Sequence, residues 1–203
     1  MSSSRIVDKA ATEQPRREMK MENIPAKFEL SQEQLQKIMP LLSAQKASVF
    51  HPLLVKAMRE FEINTPKRAA AFIAQLAHES GQLYYMEEIA DGSAYEGRED
   101  LGNVFPGDGK KFKGRGPIQL TGRANYRAFG KELGVDLENE PKLAASPQLG
   151  FRIAGCFWRR KGLNPLADSG DFKTITRKIN GGDRGMQDRI KFHIVAKEVL
   201  GDE

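Results

Sequence analysis

Two short blocks of this 203-residue chain each offer a glutamate in a setting where a carboxyl could do chemistry. Ala77-His78-Glu79-Ser80-Gly81 presents Glu79 at the end of an apolar helical stripe. Ala94-Tyr95-Glu96-Gly97-Arg98 presents Glu96 in a Gly-rich loop, 17 positions later. A third block, Gly114-Arg115-Gly116-Pro117-Ile118-Gln119-Leu120-Thr121-Gly122, is a turn carrying the amide of Gln119 and the hydroxyl of Thr121. Two carboxyls, with polar groups able to hold a sugar or a water, are the parts of a glycosidase. One protonates the leaving oxygen and the other activates water or attacks directly.

The two glutamates are not equally specified. Glu79 follows Phe72, Ile73, Leu76 and Ala77, so it falls at the edge of a core, where partial desolvation favours the protonated carboxyl of a general acid. Glu87, Glu88, Glu96 and Glu99 all compete for the second role, and spacing alone does not choose among them. Other chemistries fit less well. A zinc-protease reading of His78-Glu79 needs a second histidine four residues on, and position 82 is Gln82. His51 and His193 have no ligand-spaced partners. Gly107-Asp108-Gly109-Lys110 lacks the spacing and hydroxyl of a phosphate loop. Cys156 sits on an apolar helix face, as a buried structural thiol does.

The elements that must position these residues read as mostly α-helical. Ser31-Gln32-Glu33-Gln34 has the form of a capping box, opening a helix that ends near Pro40. A second helix is expected from Pro52 through Phe61. Thr65-Pro66 caps and starts a third, with Ala69, Phe72, Ile73, Leu76 and Ala77 at helical spacing and Gly81 as its stop. Residues 91–116 read as a long loop, the kind that carries function. Phe112 to Leu120 has room for one short β-hairpin. Thr121 is expected to cap a helix closed by Gly134. Three more follow: one opened by Ser146-Pro147 and ending at Gly162, one over 171–179, and one from Met186 to Leu200 with Ile190, Ile194, Val195 and Val199 inward.

Length and composition fit one catalytic domain over 28–203, preceded by a flexible polar leader over 1–27. A single cysteine rules out an intrachain disulfide. No stretch has the apolar length of a membrane span, which excludes stable membrane insertion, and no signal-peptide core is visible near the N-terminus. The protein is therefore expected to accumulate in the cytoplasm. The net charge is +5, with seven basic residues and no acidic one from Lys110 to Lys131. Such a run is either a solvated basic face or a surface that attracts a polyanion, and charge does not decide which. The chain lacks a recognisable nucleic-acid module, so nucleic acid is not an expected partner.

Four blocks together carry a resemblance. Phe72 to Gly81 resembles the catalytic-helix signature of glycoside hydrolase family 19, the plant-type chitinases and related bacterial and phage enzymes. Lys113 to Thr121 resembles the substrate-cleft signature of that family. Ile179-Asn180-Gly181-Gly182 and Gln187-Asp188-Arg189-Ile190 resemble its C-terminal motifs. Tyr95-Glu96-Gly97-Arg98 looks like the bacterial and phage form of the second-glutamate loop.

The resemblance implies a mainly α, lysozyme-like helical domain with long cleft loops. It implies Glu79 as general acid and Glu96 as general base, with Thr121 helping to hold the attacking water. His78, Gln119, Asn125, Tyr126 and Asn180 fall on the sugar cleft, and Arg189 on a position that holds the acidic network together. The implied chemistry is inverting and needs no cofactor or metal. The single cysteine, short loops and basic cleft region match compact phage lysis enzymes better than secreted chitinases. The expected activity is cleavage of β-1,4 bonds in peptidoglycan glycan strands by a monomeric endolysin that reaches the wall through a holin-type lesion. A chitinase is the alternative, and a non-catalytic wall-binding protein a more distant one.

Overall fold

The computed structural model describes residues 28–202. The polar leader expected over 1–27 lies outside them.

Helix α1 (Gln32–Ile38) starts where the sequence places it: Ser31 Oγ accepts from the Gln34 amide and Gln34 Oε1 accepts from the Ser31 amide, at 3.0 and 2.9 Å. Helix α2 (Ala44–Glu60) begins earlier than expected, because Ser43 caps it by accepting from the Lys46 amide. Pro52 lies inside this helix instead of opening it. Helix α3 (Pro66–Glu79) is capped by Thr65, and every residue from Ala69 to Ala77 is buried. A helix buried all round is a central helix. Its five alanines let neighbours approach closely.

Helices α4 (Asp108–Lys111) and α5 (Arg123–Leu133) follow, then α6 (Pro147–Arg160), α7 (Leu163–Asp168), α8 (Phe172–Asn180) and α9 (Met186–Leu200). Helix α9 packs along α3, α6 lies against α2, and α7 joins α3 to α8. Phe72 of α3 meets Trp158 of α6 edge to face, with centroids 5.3 Å apart. Such a pair adds about 0.5–1.5 kcal/mol beyond burial. Trp158 satisfies its ring N–H on Asn164 at 2.7 Å. Gly155 allows α6 to touch the ring of Phe61, for a Cβ there would overlap it. Cys156 is buried, and that burial pushes its thiol up to about 12.

Four further expectations change. The 91–116 segment holds local order: single 3₁₀ turns at Ser93–Tyr95 and Glu99–Leu101, and α4. The hairpin at 112–120 shrinks to one residue pair, Arg115 with Leu120, and Arg115 also bridges Glu87 on its other side. Gly122, not Thr121, stands at the start of α5, while the Thr121 hydroxyl donates to the Gln119 carbonyl at 2.9 Å. On α9 the fully buried residues are Met186, Arg189, Ala196 and Leu200; Ile190 and Val199 pack partly buried against the core as expected, whereas Ile194 and Val195 are exposed. The helix is turned so that Arg189 points inward, and the reason lies at the end of α3.

Candidate active site

Glu79 is the last residue of α3, and Arg189 sits in the first turn of α9. Arg189 Nη2 donates to Glu79 Oε1 at 2.5 Å. Its Nη1 donates to Gln75 Oε1, and Gln75 in turn donates to the Thr176 hydroxyl of α8 at 2.9 Å. Arg189, Gln75 and Thr176 are all buried. A buried charge is costly unless paired, and Glu79 is the carboxylate that pairs this one. Glu79 itself keeps a fifth of its side chain open, at 20%. Its Oε2 takes no hydrogen bond from any described residue, so one oxygen is fixed and the other faces outward.

His78 makes a parallel contact. Its Nδ1 lies 2.6 Å from Asp188 Oδ2. Consecutive residues of α3 are thus held by consecutive residues of α9. Gly185, which precedes α9, is pressed against the imidazole.

After α3 the chain turns sharply. The Leu83 amide donates to Ser80 Oγ at 2.7 Å and the Tyr85 amide to the Ser80 carbonyl at 3.0 Å. Residues 86–88 then run beside 114–116: Gly116 donates to the Met86 carbonyl at 2.8 Å and Glu88 to the Gly114 carbonyl at 3.0 Å. This pairing brings the Glu88 carboxylate to the Gly-rich turn. Its Oε2 accepts from the Gly114 amide at 2.7 Å, and its Oε1 from the Tyr95 hydroxyl at 3.2 Å. Glu88 Oε2 and Gln119 Oε1 converge on Gly114, at 2.8 and 2.7 Å from where a Cβ would stand, so a side chain there would displace one of these two ends. Gln119 holds φ of +55° and donates from Nε2 to the Gly116 carbonyl at 3.0 Å. A non-glycine residue in that region carries backbone strain that the turn must hold.

Glu96 has a different setting from the one expected. It is exposed, and both oxygens are engaged by backbone: Oε1 accepts from the Gly107 amide at 2.6 Å and Oε2 from the Gly109 amide at 2.8 Å. Those amides begin α4, so the carboxylate caps that helix.

The remaining candidates divide. Thr121 and Gln119 share the turn beside Glu88. Asn125 is exposed on α5 and donates to the Thr121 carbonyl at 2.8 Å. Asn180 ends α8, half-buried, and donates to the Gly182 carbonyl at 3.3 Å. Tyr126 stands behind the cleft wall instead of on it. It is fully buried, its hydroxyl donates to the Lys113 carbonyl at 2.7 Å, and burial pushes it up to about 12.

Three residues of the basic run, Lys113, Arg115 and Arg123, are drawn into the fold, while Lys110, Lys111, Arg127 and Lys131 stay exposed. Arg115 is buried against Tyr126, the Lys111 carbonyl and Glu87. Lys113 reaches the Glu88 carbonyl at 3.0 Å and Glu87 at 3.3 Å. Arg123 binds Asp108 and Glu138.

Residues 60–168 match the family profile described as Chitinase class I. An endochitinase of Arabidopsis thaliana is 40% identical over 142 residues, which is 66% of this chain and 48% of that protein. A Haemophilus influenzae protein described as glycosyl hydrolase family 19 domain-containing is 38% identical over 106 residues, 52% of this chain and 51% of that protein. The chain thus spans about half the length of the curated relatives it matches. Chitinase C from Streptomyces griseus aligns in three dimensions with a TM-score of 0.69 at 27% identity, over 84% of this chain and 92% of that one. A class IV chitinase from Zea mays shares the fold, with a TM-score of 0.58 at 23% identity.

Proposed function

The chain belongs to glycoside hydrolase family 19, and from that premise we propose that it hydrolyses β-1,4 glycosidic bonds of bacterial peptidoglycan with inversion at the anomeric carbon. The observation that carries the chemistry is Glu79: one oxygen held by a buried arginine, the other without a partner among the described residues at a partly open helix end. In this reading that outward oxygen carries the proton given to the leaving group, and Arg189 fixes the carboxyl's orientation. A carboxyl across the sugar plane activates water, at a separation of roughly 6.5–9.5 Å in inverting enzymes.

For that second carboxyl we favour Glu88 over Glu96. Two fixed backbone amides occupy both Glu96 oxygens, an arrangement that suits a helix cap more than a group that must take a proton from water. Glu88 shares one oxygen with a rotatable hydroxyl and converges with Gln119, whose carbonyl accepts from the Thr121 hydroxyl, on Gly114. The Thr121 hydroxyl spends its proton on the Gln119 carbonyl, which leaves its oxygen to accept from a water. Gln119, Asn125 and Asn180 offer amides that both donate and accept, as sugar hydroxyls and N-acetyl groups require. No step in this scheme calls on a cofactor.

Peptidoglycan is favoured by the net charge of +5, which suits an anionic wall and gains nothing on neutral chitin. The single cysteine also fits a lysis enzyme stored in a reducing cytoplasm and released through a holin-type lesion. Chitin is the second reading, favoured by the names of the relatives. Digestion of purified peptidoglycan and, separately, of soluble chitin, with mass spectrometry of the new ends, tests both. New reducing ends from peptidoglycan support the proposal. Ends from chitin alone would move the assignment to the second reading, and none from either would overturn the hydrolase reading.

A further inference from the structure

Glu96 and its neighbour Tyr95 occupy one short loop, and their side chains point to different parts of the site. The Tyr95 hydroxyl donates to Glu88 Oε1 at 3.2 Å. Glu96 is anchored on the amides of Gly107 and Gly109. The Tyr95 carbonyl accepts from Nδ2 of Asn103 at 2.9 Å, and Asn103, fully buried, also accepts from the Arg123 amide at 2.9 Å. Gly92, at φ +87°, lies so close to Gly109 that a Cβ would stand 2.5 Å from the Gly109 carbonyl oxygen. The backbone on either side of the phenol is therefore tied down, to α4 on one side and to the start of α5 on the other. Nothing else among the described residues accepts the Tyr95 hydroxyl. Burial, and then the Glu88 charge, raise the phenol above its ordinary range, so it remains a donor through neutral pH.

We propose that Tyr95 is a positioning residue for the Glu88 carboxylate, and that Glu96 is the latch that holds the Tyr95 loop in place. The inference rests on Glu88 acting as the general base. A phenol on Oε1 and the Gly114 amide on Oε2 fix the carboxylate plane and leave the remaining lone pairs for water. The other charged and titratable groups around Glu88 are Glu87, Lys113 and Arg115 on the 86–88 and 113–116 segments, Tyr126 behind them, and Arg98 beyond Tyr95. A change confined to the Tyr95 hydroxyl leaves all of them in place.

The test is the pH profile of hydrolysis for Tyr95→Phe, Glu96→Gln, Glu96→Asp and Glu88→Gln. Tyr95→Phe should lower kcat roughly tenfold with KM near wild type, the scale of one hydrogen bond to a charged group. The pH profile of its kcat/KM should differ from that of the parent, because the hydroxyl that donates to the acting carboxylate is gone. Glu96→Gln should show the same two changes, combine with Tyr95→Phe less than additively, and keep far more activity than Glu88→Gln. Glu96→Asp, which retains a charged acceptor, should recover part of the loss. A wild-type kcat and profile for Tyr95→Phe, with Glu88→Gln inactive, would overturn this inference and leave the base assignment standing. An active Glu88→Gln would remove the base assignment itself. A Glu96→Gln variant as inactive as Glu79→Gln, with no recovery in Glu96→Asp, would make Glu96 the base and end the latch.

Discussion

Gly185 leaves the space that His78 occupies: a Cβ on this glycine would stand 2.5 Å from both Cε1 and Nε2 of the imidazole. The ring cannot swing away freely, because Nδ1 is held on Asp188. Gly185 also has φ of +70°, which costs an L-residue roughly 1–2 kcal/mol. Gly185→Ala should therefore push His78, Asp188 and the first turn of α9 apart and disturb the Arg189–Glu79 contact one residue further on. Activity should fall at least several-fold, with a loss of thermal stability of about 1–2 kcal/mol. In a His78→Ala background the same change should cost only the backbone term. Full additivity of the two substitutions would show that the glycine does not act through the imidazole.

The Arg123 cluster makes the opposite kind of prediction. Arg123 binds Asp108 at 2.5 and 2.9 Å and Glu138 at 2.8 Å, and its guanidinium lies 4.7 Å from the centre of the Phe112 ring. Asp108 is almost wholly buried, so Arg123→Ala leaves a buried charge unpaired, at a cost of about 3–5 kcal/mol. Melting temperature should drop while salt-dependent binding to whole peptidoglycan stays near wild type. Unchanged melting with weakened wall binding would return Arg123 to a docking surface. The pH dependence follows the same cluster. The Arg127 and Arg123 guanidiniums hold Glu138 down to about 2, and Arg123 and then the Phe105 amide hold Asp108 below its ordinary range. Depressed carboxyls stabilise the fold above the unfolded value near 4 and lose that contribution as pH falls toward 2. Glu138→Gln should flatten the acid end of the stability curve.

His193 should govern a higher window. It stacks on Phe172 with centroids 4.0 Å apart, and burial, then the Lys197 charge, bring it from 6.5 to about 4. The unfolded chain then binds a proton that the folded chain refuses between those values. Stability is complete above about 6.5 and declines as pH falls to 4, by up to about 3 kcal/mol at about 1.4 kcal/mol per unit. Urea titrations across that range should show the slope in the parent and lose most of it in His193→Gln. An equal slope in both would place the proton uptake elsewhere.

These cases also show what the sequence could and could not convey. Helix starts with a local chemical cause were readable: Ser31 with Gln34, Thr65 before Pro66, and the stop at Gly134 all act through residues a few positions apart. The place of Glu79 at the end of α3 was readable because an apolar stripe leads into it. Of the residues expected inward on α9, Ile190 and Val199 pack against the core and Ile194 and Val195 do not, because the inward face includes Arg189, whose burial only a partner 110 residues away makes tolerable. Glu88 could be named as a competitor but not preferred, since its place depends on pairing with 114–116. That Lys113, Arg115 and Arg123 turn inward while the rest of the basic run stays exposed was not legible, because their acidic partners, Glu87, Asp108 and Glu138, are scattered along the chain.

The stereochemical outcome tests the two-carboxyl reading as a whole. If Glu88 activates a water on the face of the sugar opposite Glu79, no glycosyl–enzyme bond forms and configuration inverts at the anomeric carbon. A β-linked polymer then releases the α anomer first. Proton NMR of a fresh digest should show the α signal leading, with the β signal growing only as mutarotation proceeds. Glu79→Gln should show neither, because loss of a general acid commonly costs about 10²–10⁴ in rate. Glu88→Gln should likewise lose hydrolysis. Azide added to Glu88→Ala gives a second reading, since a small anion in the space left by the removed carboxyl can attack from the same face as water, displace the leaving sugar oxygen protonated by Glu79, and yield an α-glycosyl azide. A β anomer that leads in the parent enzyme would mean retention through a covalent intermediate, with carboxyls roughly 5–5.5 Å apart, and would remove the water-filled gap proposed between Glu79 and Glu88.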